Sequence, residues 1–130
     1  MDIVFFDTNA FGPFLGGEEN IVEQVRLAEE IHLSLIVYAE LVAGFQRGAR
    51  EKENRADLET FRGKRKVKLT VPTRRTAEFY AQVKNSLRAK GRPIPVHDIW
   101  IAAQCLEHGA VLLTRDSHFD HVEGLRRKGF

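Results

Sequence analysis

Only one cysteine stands among the 130 residues, Cys105. A lone thiol excludes an internal disulfide and any cysteine-built zinc cluster. It lies in the apolar run "IWIAAQCLEHG" and reads as a small buried hydrophobe, because free cysteine packs like one. No apolar stretch approaches the ~20 residues of a membrane-spanning helix. The short apolar run at the N-terminus has no basic residues ahead of it and carries an acid, Asp2, so it does not read as a signal peptide. An intracellular protein is the simplest expectation. Internal repeats, low-complexity tracts and linkers are also lacking, and the length fits one domain over 1–130. Apolar residues make up 43%, which is enough for a core and too many for a disordered chain.

Charge of one sign is scarce as well. The net value of +2 excludes a general polycation. The distribution is uneven, however: 11 of the 20 Lys and Arg residues lie between Arg47 and Arg75, most densely in "RGKRKVKLT". Such a tract can follow a nucleic-acid backbone, with Arg62, Lys64, Arg65 and Lys66 as the candidate contacts beside a ligand groove. The same tract, with Glu51, Glu53, Asp57 and Glu59 among it, also reads as an ordinary solvated surface. Charge alone does not decide between the two.

The apolar pattern places a buried strand at 2–6, then a helix over "GGEENIVEQVRLAEE" with Ile21, Val22, Val25 and Ala28 at helical spacing. "IHLSLIV" is rich in branched apolar residues and predicts a second strand. "VYAELVAGFQRG" puts Val37, Tyr38, Leu41, Val42 and Phe45 on one helical stripe, and a charged helix is expected from about Arg50 to Arg62. "KVKLTV" predicts a strand that ends at Pro72. A helix follows, with Thr73 as N-cap and Gly91 beyond its end. "RPIPVHD" is a rigid loop, "DIWIAAQCLEHG" a helix, "AVLLT" a strand, and "RDSHFDHVEGL" a loop or short helix. The last residues form a short edge strand. Strands alternating with helices indicate a parallel sheet covered on both faces, with ligands bound beyond the carboxyl ends of the strands.

That rim is where the acids fall. Asp7 follows the first strand, Glu40 lies one turn into the helix after the second, Asp98 opens a helix, and Asp116 sits two residues past "AVLLT". Carboxylates gathered within ~4–8 Å cannot all stay ionised without protons or a cation. Oxygen-only donors suit Mg²⁺ or Mn²⁺, which keep several waters and activate them for attack on a phosphodiester. Thr8, Asn9 and Thr114 are placed to orient such carboxylates. Each acid also has an ordinary reading. Asp7-Thr8-Asn9 suits a turn, Asp98 and Asp116 suit helix N-caps, and Glu40 suits an exposed helix position.

These segments are similar to the four acidic motifs of the PIN-domain ribonucleases, and among them the VapC-type toxins of toxin–antitoxin pairs. "FFDTNAF" resembles the first motif, "YAELVAGF" the second, "IPVHDIWIAA" the third and "LLTRDSHFDHVEGL" the fourth. The resemblance spans essentially the whole chain. It implies a three-layer α/β/α fold with a parallel sheet of four to five strands, and a Mg²⁺- or Mn²⁺-dependent endoribonuclease. By motif matching, Asp7, Glu40, Asp98 and Asp116 would be the metal-binding acids. The fourth position is often Asn in the family, so Asp116 makes the fuller acidic set. Structured RNA (tRNA or rRNA) is the implied substrate, a VapB-type antitoxin the implied partner, and a homodimer the usual assembly.

Two further readings of the residues differ in class. A PIN-like RNA-binding or assembly module without catalysis would ordinarily lack some of these acids. A phosphatase with a phosphorylated Asp7 would want a second Asp at position 9, which is Asn9. His97 and Trp100 flank the third acid, with His97 expected in a surface or supporting role. His118 and Phe119 are expected to lock the last loop, and no role falls to His32, His108 or His121.

Overall fold

The computed structural model describes residues 2–130. Five strands, β1 (Ile3–Phe6), β2 (Glu30–Ser34), β3 (Val67–Thr70), β4 (Val111–Leu113) and β5 (Arg126–Lys128), form one sheet in the order β3-β2-β1-β4-β5. Every neighbouring pair is parallel, with Val4 level with Ile31 on one side and Val111 on the other. Six helices cover it: α1 (Thr8–Leu15), α2 (Glu19–Leu27), α3 (Leu35–Arg47), α4 (Glu51–Arg62), α5 (Arg74–Ala89) and α6 (Val96–His108). The alternating order and the expected three-layer α/β/α arrangement are both realised. No helix among the described residues is long and apolar enough to cross a membrane.

Phe5 and Phe6 show why β1 is a solid apolar run. Successive strand residues face opposite ways, and both faces here are covered. Phe6 meets Phe14 of α1 and Phe61 of α4, with ring centroids 5.7 and 5.2 Å away. Phe5 instead stacks on His32 at 4.9 Å and tilts against His108 of α6. Phe61 also touches Phe11 and Phe14, so four aromatic rings tie α1, α4 and β1 together.

A buried polar link fixes α6 to the sheet. Gln104, wholly buried, accepts from Ser34 Oγ at 2.5 Å and donates to the Thr70 carbonyl at 3.2 Å. Ser34 Oγ also accepts from the Ile36 amide at 3.1 Å. Gln104→Leu leaves the Ser34 hydroxyl and the Thr70 carbonyl without these partners. It is expected to cost about 1–3 kcal/mol, read as a lower urea midpoint with an unchanged slope.

Three boundaries differ from the sequence reading. β2 stops at Ser34 rather than running to Val37, because Ser34 N-caps α3 and turns Leu35, Ile36 and Val37 into its first turn. Asp7-Thr8-Asn9 is no isolated turn: it begins α1, which the Gly12-Pro13 pair conceals in the sequence. Asp98 does not open α6 but is its third residue, after Pro95 at the N-cap.

Candidate metal centre

The parallel register brings the carboxyl ends of β1 and β4 to one rim. The Asp7 amide donates to the Leu113 carbonyl at 3.0 Å, continuing the ladder one step past the strand. Asp7 is 3% exposed and caps α1, its Oδ1 accepting from the Thr8 amide at 2.8 Å. Thr114, wholly buried at the end of β4, donates its hydroxyl to Asp7 Oδ2 at 2.7 Å. The same hydroxyl accepts from the Asp116 amide at 3.0 Å, so one oxygen sets the positions of two acids. Asn9 completes the link. Its Nδ2 donates to Asp116 Oδ2 at 3.4 Å, and its Oδ1 accepts from the Arg115 amide at 3.2 Å.

Asp98 arrives from the other side of the rim and is 5% exposed. It makes no capping bond to backbone. Its Oδ2 stands 2.8 Å from His118 Nε2, and its Oδ1 3.4 Å from His97 Nε2. The two atoms are close, but the ring N–H is not aligned with the carboxylate for a hydrogen bond. This contact has no counterpart in the sequence reading; its only sign there was the His118-Phe119 pair soon after Asp116. A second unforeseen contact anchors the same loop. The Arg115 guanidinium forks onto Glu18 at 2.5 and 2.6 Å and lies over the Phe130 ring.

The electrostatics follow from burial. Desolvation pushes the Asp7 carboxyl above its usual range, against the pull of Thr114 and Thr8, and the Asp116 charge adds to the rise. Burial likewise raises Asp98; His97 and His118 oppose the shift, while Asp7 reinforces it. Cys105, wholly buried on α6, has its thiol pushed up by desolvation and by the Asp7 charge, and is inert as expected.

Asp7, Asp98 and Asp116 therefore share one polar rim. Glu40 lies in the second turn of α3, exposed, with no hydrogen bond or ion pair among the described residues. Among the described residues no three His, Cys, Asp or Glu side chains converge closely enough to ligate one ion as they stand. The donor chemistry nonetheless suits a hard cation. Two buried carboxylates are hard oxygen donors of the kind an ion that keeps several waters takes, and a bound cation would offset the charge that burial disfavours.

The basic tract is elsewhere. Ile31 at the start of β2 donates to the Lys66 carbonyl at 2.8 Å, so residues 64–66 lead into the amino end of β3. They lie at the opposite end of the strands from Asp7, and the expectation that Arg62, Lys64, Arg65 and Lys66 border the acidic groove does not hold. Arg62 is moreover paired with Glu59 at 2.8 Å, and the Lys66 ammonium is held by backbone carbonyls at the end of α2.

Comparison with known proteins decides the family. The PIN domain model matches residues 4–125. The chain belongs to the PIN-domain family. Within it the likeness is to VapC proteins. Ribonuclease VapC1 of Haemophilus influenzae strain R2866 is 33% identical over 108 residues, covering 81% of this chain and 78% of its own. VapBC-1 from nontypeable Haemophilus influenzae superposes with a TM-score of 0.85 at 26% identity, over 98% of this chain and 97% of that one. VapBC2 from Rickettsia felis, solved with a DNA fragment from its promoter, reaches 0.88 at 21% identity over 98% of each chain.

Proposed function

We propose that this PIN domain is a Mg²⁺- or Mn²⁺-dependent endoribonuclease, the toxin of a VapBC-type toxin–antitoxin pair. The observation that carries this reading is the pairing of Asp7 and Asp98. They are 91 residues apart in sequence, both are buried at one rim of the sheet, and the Asp7 charge reinforces the rise of the Asp98 carboxyl. Two carboxylates buried near one another cost stability when ionised, and a bound cation offsets that cost. The relative named Ribonuclease VapC1 supports the activity, and the VapBC complexes support an antitoxin partner of the VapB type.

In this reading Asp7, Asp98 and Asp116 would hold the ion, with Glu40, exposed on α3, as the fourth acid of the set. The bound ion supplies an activated water and neutralises charge on the phosphate under attack. The chain's own residues do the positioning. Thr114 fixes Asp7 and the Asp116 backbone through a single hydroxyl, Asn9 orients the Asp116 side chain, and Thr8 holds the other Asp7 oxygen. Structured RNA, tRNA or rRNA, is the proposed substrate, and its cleavage would stop translation. A homodimer is the proposed assembly. Exposed apolar side chains such as Leu27, Val71 and Val96 offer surface for a second copy or an antitoxin.

One observation favours a second reading, a non-catalytic RNA-binding module: among the described residues no three acids converge as they stand. A single experiment separates the two. Cleavage of total RNA in magnesium is expected to stop with EDTA, and to fall by roughly a hundredfold or more in Asp98→Asn. Millimolar Mn²⁺ is expected to raise the melting temperature of the parent and not of that variant. RNA left intact by the parent, with no Mn²⁺ effect on melting, establishes the module instead.

A further inference from the structure

At the amino end of the sheet, far from Asp7, lies an open cleft of about 490 Å³ lined by Glu29, Glu30, Lys64, Arg65, Lys66 and Lys68. We propose that this cleft is a second RNA-binding surface, holding the phosphate backbone of a long structured RNA while its scissile bond lies at the acidic rim. The proposal rests on the ribonuclease reading for its substrate and on the cleft's own charges for its geometry.

From Arg62 to Lys68 there are five cations and no acid. Two of the five are already spent. Arg62 is paired with Glu59, and Lys66 donates to the carbonyls of Val25 at 2.5 Å and Ala28 at 3.0 Å. Lys66 thereby covers the carbonyl end of α2, whose negative partial charge would otherwise face the cleft and repel an anion. The Glu30 carboxylate lies beside His32, its Oε1 3.1 Å from Nε2, and also feels the Lys68 charge. What remains is Lys64, Arg65 and Lys68, exposed and with side chains in no ion pair or hydrogen bond among the described residues, three cations against the two acids Glu29 and Glu30. Three unspent cations on one turn and the strand after it, beside a helix end already neutralised, are suited to successive phosphates of one backbone. A small anion would need a deeper, more enclosed site than this open cleft.

The separation of the two surfaces makes the proposal testable. A strand of four residues spans roughly 13 Å, and Lys64 and Arg65 lie beyond its amino end. A hexaribonucleotide engaged at the acidic rim is too short to use the cleft well, whereas tRNA is not. The experiment compares the parent with the triple variant Lys64→Gln, Arg65→Gln, Lys68→Gln. Affinity for unfractionated tRNA is measured in an Asp7→Asn background over a salt series, and kcat/KM is measured for a hexaribonucleotide in the active background. The triple variant is expected to weaken tRNA binding by about tenfold or more at low salt, and to flatten the log–log salt dependence by about two to three. Its loss on tRNA is expected to exceed its loss on the hexanucleotide by about tenfold. Equal losses on both substrates, or an unchanged salt slope, overturn the proposal. So does an equal loss of affinity for duplex DNA of the same charge, which would make the cleft a DNA surface. Failure of the parent to cut any RNA overturns the ribonuclease reading instead, and leaves the tRNA-binding arm to judge the cleft on its own.

Discussion

Asp7→Asn is expected to lose RNA cleavage by roughly a hundredfold or more while folding at least as stably as the parent. The two halves of this result have one cause. Asp7 is buried, and burial raises its carboxyl above the ordinary range, with the Asp116 charge adding to the effect. A carboxyl whose pKa is higher in the folded than in the unfolded state favours folding most when protonated. Its contribution is fully present below the unfolded value near 4 and is lost as pH rises through the folded value. Ionising Asp7 in the metal-free protein therefore carries a cost that grows as pH rises. An uncharged amide removes that cost, keeps an oxygen for Thr114 Oγ1 or the Thr8 amide, and cannot serve as an anionic ligand. Melting curves from about pH 4 to 8 without metal test the stability half: the parent is expected to lose stability relative to Asp7→Asn as pH rises. A variant markedly less stable than the parent at pH 7 would mean that Asp7 acts mainly as the cap of α1. Full cleavage by a well-folded Asp7→Asn would remove the acid-site mechanism altogether.

Phe61→Ala has the largest expected effect on stability, about 3–5 kcal/mol. Phe61 is 1% exposed and makes ring contacts with Phe6, Phe11 and Phe14. Removing it opens a cavity where α1, α4 and β1 meet, bordered by the rigid rings of Phe6, Phe11 and Phe14. For a domain of this size the loss corresponds to about 10–20 °C in melting temperature. The site is affected as well, because α1 is anchored by the same rings and begins at Asp7. Metal affinity is thus expected to weaken in Phe61→Ala even at temperatures where the variant remains folded, which isothermal titration with Mn²⁺ measures. A melting temperature within a few degrees of the parent would show that the neighbouring rings close over the gap.

Much of this was legible in the sequence because the signals were local. Thr73 and Gly91 bound α5 where they were expected, since a capping box and a left-handed glycine at φ 66° are set by neighbouring residues alone. The parallel sheet followed from alternation of strands and helices. What was not legible depended on contacts distant in sequence. α1 was hidden because Gly12 and Pro13 are poor helix formers, and it exists because Asp7 caps it and Phe11 and Phe14 pack on Phe61. The end of β2 was misplaced because Ile36 and Val37 have strand propensity, which the Ser34 cap overrides. The acids at 7, 98 and 116 were found from their positions after strands and near a helix start. The His118 contact with Asp98 and the fork from Arg115 to Glu18 join residues 20 and 97 apart, and no local pattern announces them. The basic tract was misplaced for a different reason: composition reports how much charge a segment carries, while only strand direction reports which end of the sheet it occupies.

The place of β1 in the middle of the sheet bears on when a cell meets this protein's chemistry. Asp7 is made long before its partners: its amide is held by Leu113, its side chain by Thr114, and its acidic neighbours are Asp98 and Asp116. A nascent chain that has not yet released those residues has β1 paired on one edge alone and no assembled rim. The rim can therefore assemble only after Asp116 has left the ribosome, which places any chemistry it performs late in synthesis. A partner already present at that moment would meet a site still being completed.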